Sequence, residues 1–253
     1  SYFANVYRRI IDKYDDPAEG MNVWSNHIKS FGLGNYLGYD LKIGSKGRIP
    51  DGDFYDKWYG KGRWVSTYNI SNAIGQGEVE ATPIQLANMA AAIGNRGYYY
   101  TPHIIKQIEG ETIDKNYTTA KHTTIDKENF EPVVHGMFDV YNKGTAASLQ
   151  VSDIEICGKT GTVENAYRGE SLKDHAFFGA FAPRENPRIA IAVMCENAGY
   201  GATSAAPIAS LLIEKYLRDS IAGPERKAKI EQLSNMNLIP PQMKRLMKPD
   251  TTR

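Results

Sequence analysis

The chain has 253 residues and a mass of 28.2 kDa, which is room for one large domain or two small ones. Hydrophobic residues make up 42%, charged residues 23%, and the mean hydropathy is −0.46, which excludes the disordered, collagenous and membrane-spanning classes. A formal net charge of +1 argues against a nucleic-acid partner, and two cysteines with five histidines predict no disulfide scaffold, metal cluster or other cofactor site.

The N-terminal third is predicted to be helical around a long irregular segment. An apolar stripe predicts a first helix over residues 3–14, turn residues follow at 15–20, and a short second helix ends at Gly32. The stripe consists of Phe3, Val6, Tyr7, Ile10 and Tyr14. Residues 34–64 are dense in Gly, Tyr, Trp and Pro without a period, which predicts an ordered loop that borders a site or is a structural excursion.

A capping box at Thr82 and Gln85 predicts a helix that ends at Gly94. The tyrosines at 98–100 predict a strand, and residues 117–124 predict a surface excursion. A further helix is predicted before Gly144 from apolar residues at helical spacing. These residues are Phe130, Val134, Met137 and Tyr141.

The C-terminal half changes to strands at 154–158, 175–182 and 188–195, of which the last two are predicted to form an antiparallel hairpin. A helix beginning at Ser204 is predicted to cover this sheet with one apolar stripe, which gives an α+β architecture. The stripe consists of Ile208, Leu211, Leu212, Lys215 and Tyr216. The composition then turns basic and Pro-containing, so we expect a domain at 1–221 and a tail at 222–253.

The string Gly158-Lys159-Thr160-Gly161-Thr162 follows the first of these strands, and two chemistries use such a string. A phosphate-binding P-loop requires a glycine where this chain has Asp153, and Glu155 would lie inside its phosphate cradle. The alternative is a K-T-G element, in which Lys and Thr on a strand edge face an acyl-enzyme serine. There Gly161 would let an extended peptide approach, Thr160 and Thr162 would bind a carboxylate, and the Thr162 N–H would serve an oxyanion hole.

Further strings accompany the K-T-G element, in a fixed order and spacing. They are Asn72-Ala73-Ile74-Gly75-Gln76-Gly77, Thr82-Pro83-Ile84-Gln85-Leu86-Ala87, Ala180-Phe181-Ala182-Pro183, and Ala192-Val193 with Glu196-Asn197. With them, residues 1–217 resemble the transpeptidase domain of class B penicillin-binding proteins. Leu172-Lys173-Asp174-His175 is similar to the elongation type, penicillin-binding protein 2. The resemblance implies a β-lactamase/transpeptidase-like fold, with an antiparallel sheet covered by helices on both faces and incomplete at its N-terminal side.

The resemblance also implies an activity and roles for named residues. The family cross-links peptidoglycan stem peptides through an acyl-serine and is inhibited by β-lactams. Carried over, Lys159 supports proton transfer and carboxylate binding, while Thr160, Gly161 and Thr162 bind the substrate, with the Thr162 N–H as the oxyanion donor. The family's S-x-x-K and S-x-N patterns do not occur in these 253 residues. We therefore expect the nucleophile, a membrane anchor and a pedestal upstream of this chain, and expect this chain alone to be inactive.

Other residues are assigned supporting roles. We interpret His175 as structural, Cys157 as a small buried residue, 75–77 as a turn near the cleft, and 199–201 as a loop that borders the cleft. An alternative with the same fold is a non-catalytic β-lactam or peptide sensor. A serine β-lactamase or carboxypeptidase would need a deacylating water that no residue here positions. The expected partners are stem peptides, β-lactams and other cell-wall elongation proteins, at the periplasmic side of the cytoplasmic membrane.

Overall fold

The computed structural model describes residues 2–38, 40, 44–167 and 170–239. The chain divides into two units, Ser1–Glu131 and Pro132–Arg253. The expected separation of 1–221 from 222–253 stays a prediction. The predicted Pro-containing stretch from residue 240 onward lies outside the described residues.

The first unit begins with two packed helices, α1 (Tyr2–Ile11) and α2 (Pro17–Lys29). The side chains of Tyr7, Ile11 and Met21 are buried in their shared core. Burial of a large apolar side chain stabilises the folded state by about 1.5–3 kcal/mol relative to leaving it exposed.

The prediction for this helical pair is wrong in two places. Phe3 is 62% exposed, and α1 ends before Tyr14, so the apolar stripe overstates the buried face. Residues 17–20 form the first turn of α2, where the Asp16 carboxylate accepts from the Ala18 N–H at 2.9 Å. A proline at the first helical position reads in sequence as a turn, but it suits a helix start because its missing N–H is not needed there.

Residues 34–64 are irregular as predicted over their first part, but they contain a helix, α3 (Gly52–Tyr59). The Asp51 side chain caps it by accepting from the Phe54 N–H at 3.1 Å. Only Gly52 and Tyr55 of α3 are buried, so no apolar stripe marks the helix in the sequence. A 3-10 helix, Ser66–Ile74, follows α3.

The capping box is confirmed at the start of α4 (Pro83–Gly94). The Thr82 hydroxyl accepts from the Gln85 N–H at 3.4 Å, and Gln85 Oε1 accepts from the Thr82 N–H at 2.9 Å. The predicted strand is also confirmed as β1 (Tyr98–Tyr99). Its antiparallel partner β2 (Lys121–His122) lies in the predicted surface excursion, which also contains a short helix, α5 (Lys115–Thr118).

The next helix, α6 (Phe130–Asn142), carries the predicted stripe on its buried face. All four stripe residues, from Phe130 to Tyr141, are at most 9% exposed. The helix ends at a turn in which Gly144 is required, because a Cβ there would lie 2.8 Å from the Val140 Cα.

The second unit contains an antiparallel sheet in the order β3-β6-β7, with β3 at Cys157–Val163, β6 at His175–Ala182 and β7 at Ile189–Cys195. The predicted β6–β7 hairpin is confirmed. The predicted strand at 154–158 is displaced, because β3 begins at Cys157 and contains the whole K-T-G string. A small hairpin, β4 (Ala166–Tyr167) with β5 (Glu170–Ser171), follows β3.

One face of the sheet is covered by α7 (Ala205–Arg218), and a last helix, α8 (Pro224–Ser234), packs on α7. The predicted stripe on α7 is wrong in part, since Leu211 is buried but Leu212 is 49% and Tyr216 58% exposed. The residues packed toward the sheet core are Ala205, Ala206, Ala209 and Ile213. Small side chains allow close helix-to-sheet packing but give no hydrophobic stripe to detect. The mixture of helices with antiparallel sheets confirms the α+β prediction.

Candidate active site

The K-T-G string lies on β3, which is an edge strand in the described part of the sheet. Its register places Lys159 opposite Gly179 and Gly161 opposite Phe177 of β6. Among the described residues no strand pairs with the other side of β3. Backbone amides and carbonyls on such an open edge can pair with an added extended segment.

Lys159 is exposed on this strand, and its ammonium donates to the Thr160 carbonyl oxygen at 2.6 Å. Directly opposite residues of an antiparallel pair share a face of the sheet. Gly179 has no side chain, and the ring of Phe177 on β6 occupies the space beside it, 3.0 Å from where a Gly179 Cβ would stand. An exposed positive charge therefore lies on the edge strand, next to a face that the Phe177 ring covers.

The two glycines of the string are fixed by phenylalanines of β6. A Cβ at Gly158 would lie 2.3 Å from the Phe178 ring, and a Cβ at Gly161 would lie 3.0 Å from Phe177. Contacts below 3.0 Å force a neighbour to move, so Gly158 is required by packing alone. Gly161, which is predicted to let a substrate approach, also lies against Phe177.

Thr160 is half-buried and Thr162 exposed, and a third hydroxyl lies close to them. The Thr145 hydroxyl is 3.4 Å from the Thr160 hydroxyl. Thr145 is placed by the turn after α6, in which the Ala146 N–H donates to the Val140 carbonyl at 3.0 Å and Ala146 is fully buried. Sequence reasoning missed Thr145, because no local pattern reveals which turn contacts a strand.

The predicted loop at 199–201 adjoins the K-T-G strand. A Cβ at Gly201 would lie 2.4 Å from the Phe177 carbonyl oxygen and 3.0 Å from the Gly161 carbonyl oxygen. The loop backbone thus packs directly against the β3–β6 pair, while the neighbouring Tyr200 is 72% exposed. Most of the Tyr200 side chain is therefore open to solvent beside the K-T-G strand.

The other residues singled out in the sequence, His175, Cys157 and the glycines at 75 and 77, respectively make a hydrogen bond, lie in the core and form a turn. Nδ1 of His175, the first residue of β6, accepts from the Asn197 N–H at 3.1 Å, and Cys157 is fully buried. Gly75 and Gly77 form a turn with φ of +73° and +69°, in the first unit.

Across residues 2–38, 40, 44–167 and 170–239, no group of three or more His, Cys, Asp or Glu side chains could hold a metal ion. Within the same residues, the structure contains no helix of the length and apolarity needed to cross a membrane.

Comparisons with known proteins agree with this arrangement. Residues 5–214 match the family model of the penicillin-binding protein transpeptidase domain. The chain is 31% identical over 224 residues to the peptidoglycan D,D-transpeptidase MrdA of Haemophilus influenzae, covering 82% of this chain and 34% of that protein. The chain thus spans about a third of the length of the curated relatives that it matches.

Solved structures of penicillin-binding proteins also resemble this chain. The structure of Pseudomonas aeruginosa PBP2 in complex with WCK 5153 matches with a TM-score of 0.71 and 29% identity, over 88% of this chain and 47% of that one. Helicobacter pylori PBP2 in complex with MreC matches with a TM-score of 0.66 and 26% identity, over 85% and 38%. These neighbours confirm the predicted transpeptidase-like fold. The chain belongs to the penicillin-binding protein transpeptidase family, and within that family it is a PBP2-type transpeptidase domain.

Proposed function

We propose that this chain supplies the substrate-binding strand of a peptidoglycan D,D-transpeptidase that cross-links cell-wall stem peptides. The observation that carries the proposal is the open edge of β3, where Lys159, Thr160 and Thr162 stand together. The family membership and the names of the curated relatives support the reaction class.

An extended stem peptide would add to β3 as a further strand. Backbone groups of alternate residues in a strand point the same way, so the Thr160 carbonyl and the Thr162 N–H would share one direction. The Lys159 ammonium donates to the Thr160 carbonyl oxygen, which supports the view that this carbonyl is accessible at the open edge. The two threonine hydroxyls would then bind the terminal carboxylate of a D-Ala-D-Ala peptide.

The chemistry would be acyl transfer through a serine ester. The serine oxygen bonds to the carbonyl carbon of the penultimate D-Ala, the amide C–N bond breaks, and terminal D-Ala leaves with a proton on its nitrogen. An acceptor amine then attacks the ester, forms the cross-link, and the serine oxygen regains a proton. Lys159 would stabilise the negative charge and assist proton transfer, and the Thr162 N–H would donate to the oxyanion.

The nucleophilic serine belongs, in this proposal, to a longer protein of which these residues are a part. The patterns S-x-x-K and S-x-N are absent from the sequence, which supports that assignment. β-Lactams would acylate the same serine as substrate mimics.

The cellular setting is part of the same proposal. We assign the longer protein to the periplasmic side of the cytoplasmic membrane, with an upstream anchor and with cell-wall elongation proteins as partners. The complex of a Helicobacter pylori PBP2 with MreC supports such partners. We also propose that the transpeptidase part ends near residue 221 and that residues 222–253 are an extension of it.

D-Ala release from a pentapeptide stem by the longer protein tests this function. Lys159→Ala should reduce release by at least about 100-fold, in line with the loss of a group that acts in the transition state. Lys215→Ala, on the exposed side of α7, is the matched control and should retain the rate. Equal rates of D-Ala release for the two variants would show that Lys159 takes no part in the reaction.

A further inference from the structure

A cluster of exposed aromatic side chains lies at the junction of α3 and the 3-10 helix, and the proposed reaction does not use it. Trp58 is 72% exposed, Tyr59 44% and Tyr68 58%. The rings of Tyr59 and Tyr68 meet edge to face, with centroids 5.4 Å apart. We call these three residues the aromatic ledge.

The ledge stands on a rigid base. Beneath it the buried rings of Tyr55 and Trp64 lie 5.2 Å apart, and the Trp64 Nε1–H donates to Asp56 at 2.8 Å. Tyr55 also stacks on Tyr59 at 6.3 Å. Tyr59 and its neighbour Tyr68 are therefore held in a fixed arrangement, while Trp58 contacts Phe54, with centroids 6.2 Å apart. Rings that are fixed in advance lower the entropy cost of binding a ligand.

The polar groups of the ledge are free. Neither the Tyr59 nor the Tyr68 hydroxyl makes a hydrogen bond to any described residue, so both can bond to ligand hydroxyls. Three exposed cations lie within a few residues of Trp58 and Tyr59 in sequence, and none of them forms an ion pair within the part of the chain that the structure describes. These cations are Lys57, Lys61 and Arg63. Asp53, one turn before Lys57, is the exposed carboxylate nearest in sequence.

This combination fits a polymer of sugar rings that carries carboxylates. Flat aromatic faces stack on the apolar faces of pyranose rings, phenol hydroxyls bond to sugar hydroxyls, and cations attract carboxylates. Tyrosine, tryptophan, lysine and arginine are also common at membrane interfaces, so these residue types alone do not separate a glycan from a lipid surface. The proposed function favours the carbohydrate, because its substrate is a polymer of sugars that carries carboxylates.

We propose that the aromatic ledge binds a peptidoglycan glycan strand, with Lys57, Lys61 and Arg63 holding the carboxylates of its stem peptides. The inference rests on the proposed function for the identity of the polymer. It adds a second contact, outside the K-T-G strand, that would retain the enzyme on its polymeric substrate between reactions.

Retention on insoluble peptidoglycan tests the proposal. The longer protein is first acylated with a β-lactam, so that the K-T-G strand does not contribute, and the apparent Kd is measured by co-sedimentation. We expect Trp58→Ala with Tyr68→Ala to raise the Kd about tenfold or more, as expected for the loss of two aromatic contacts. Tyr216→Ala, 58% exposed on α7, is the matched control and should leave the Kd unchanged.

A second pair of substitutions separates the two parts of the ligand. Lys61→Gln with Arg63→Gln changes only exposed side chains and should weaken retention on intact peptidoglycan but not on glycan strands stripped of stem peptides. Unchanged retention for both pairs, or ledge-dependent binding to anionic vesicles in place of peptidoglycan, would overturn the proposal. Acylation rates should be equal in all variants. If the unsubstituted protein is not acylated, the proposed function fails, and the same sedimentation without the drug still tests the ledge.

Discussion

The carboxylate of Glu214 on α7 is fully buried, and the guanidinium of Arg226 on α8 donates to it. Arg226 also donates to the Ser210 hydroxyl at 3.0 Å, and the Ala222 N–H donates to Glu214 at 3.0 Å. The segment that matches the family model ends at residue 214, so α8 lies beyond it. The start of the expected tail is therefore tied to the core through a buried ion pair.

Replacing Arg226 with methionine should destabilise the protein by about 1–3 kcal/mol, because the buried Glu214 carboxylate would keep, of its ion pairs, only the longer one with Arg218, at 3.5 Å. Urea denaturation measures the loss. Lys229→Met is the matched control on the same helix, since Lys229 bonds to the exposed Gln232, and it should change the free energy of unfolding by less than about 0.5 kcal/mol. Equal effects of the two substitutions would show that α8 is not anchored through Arg226.

Two glycine-to-alanine substitutions should have opposite effects. Gly158→Ala forces a Cβ into the Phe178 ring and should cost about 1–3 kcal/mol through overpacking. Gly136→Ala, on α6 with open space around the new Cβ, should stabilise by about 0.5–1 kcal/mol through helix propensity. Thermal unfolding distinguishes them, and a stable Gly158→Ala protein would contradict the β3–β6 packing.

The stability of the chain should fall above pH 10. Burial raises the pKa of Tyr141 to about 12, from an ordinary value of 10.0, and burial also raises the pKa of Tyr7 and Tyr55. Between pH 10 and pH 12 the unfolded chain has lost the Tyr141 proton while the folded chain keeps it. The free energy of unfolding therefore decreases as pH rises. Each such tyrosine contributes about 1.4 kcal/mol per pH unit.

Tyr141→Phe tests the origin of this pH dependence. The substitution removes one titrating group, so the fall in stability between pH 10 and pH 12 should become less steep. Tyr7 and Tyr55 should preserve part of the slope. Urea denaturation at several pH values measures it, and an unchanged slope in Tyr141→Phe would contradict the buried, protonated state of this hydroxyl.

Thr145 should affect acylation through Thr160. Their hydroxyls lie 3.4 Å apart, so Thr145 is a positioning residue for the proposed carboxylate-binding group. Thr145→Val should slow β-lactam acylation of the longer protein about threefold to tenfold, as expected for a lost neutral hydrogen bond, and Thr145→Ser should restore it. Restoration by serine would show that the hydroxyl group, and not the packing of the side chain, affects the acylation rate. Equal acylation rates for the valine and serine variants would show that the Thr145 hydroxyl does not position Thr160.

Elements with strong local patterns were predicted from the sequence. The α6 stripe combines four large apolar residues at helical spacing, and the Thr82–Gln85 capping box has a specific pair of hydrogen bonds. Both depend on neighbours within a few residues. The sequence therefore contains the information that fixes them.

Elements that depend on distant contacts were missed. The buried face of α7 contains alanines, and α3 buries only Gly52 and Tyr55, so neither shows a stripe. At the site, the K-T-G string was recognisable as a string, but its position inside β3 was not, because glycine and threonine contrast little with their flanking residues. Thr145 approaches Thr160 through the fold alone. The roles of Lys159, Thr160, Gly161 and Thr162 stay predictions.

Intact-mass spectrometry after exposure to a β-lactam shows whether the K-T-G strand of this chain acts with a serine located elsewhere in a longer protein. The longer protein should gain one drug mass, Lys159→Ala should slow the gain, and the 253-residue chain should gain none. Stable labelling of the 253-residue chain, or an unlabelled longer protein, would contradict this assignment of the serine.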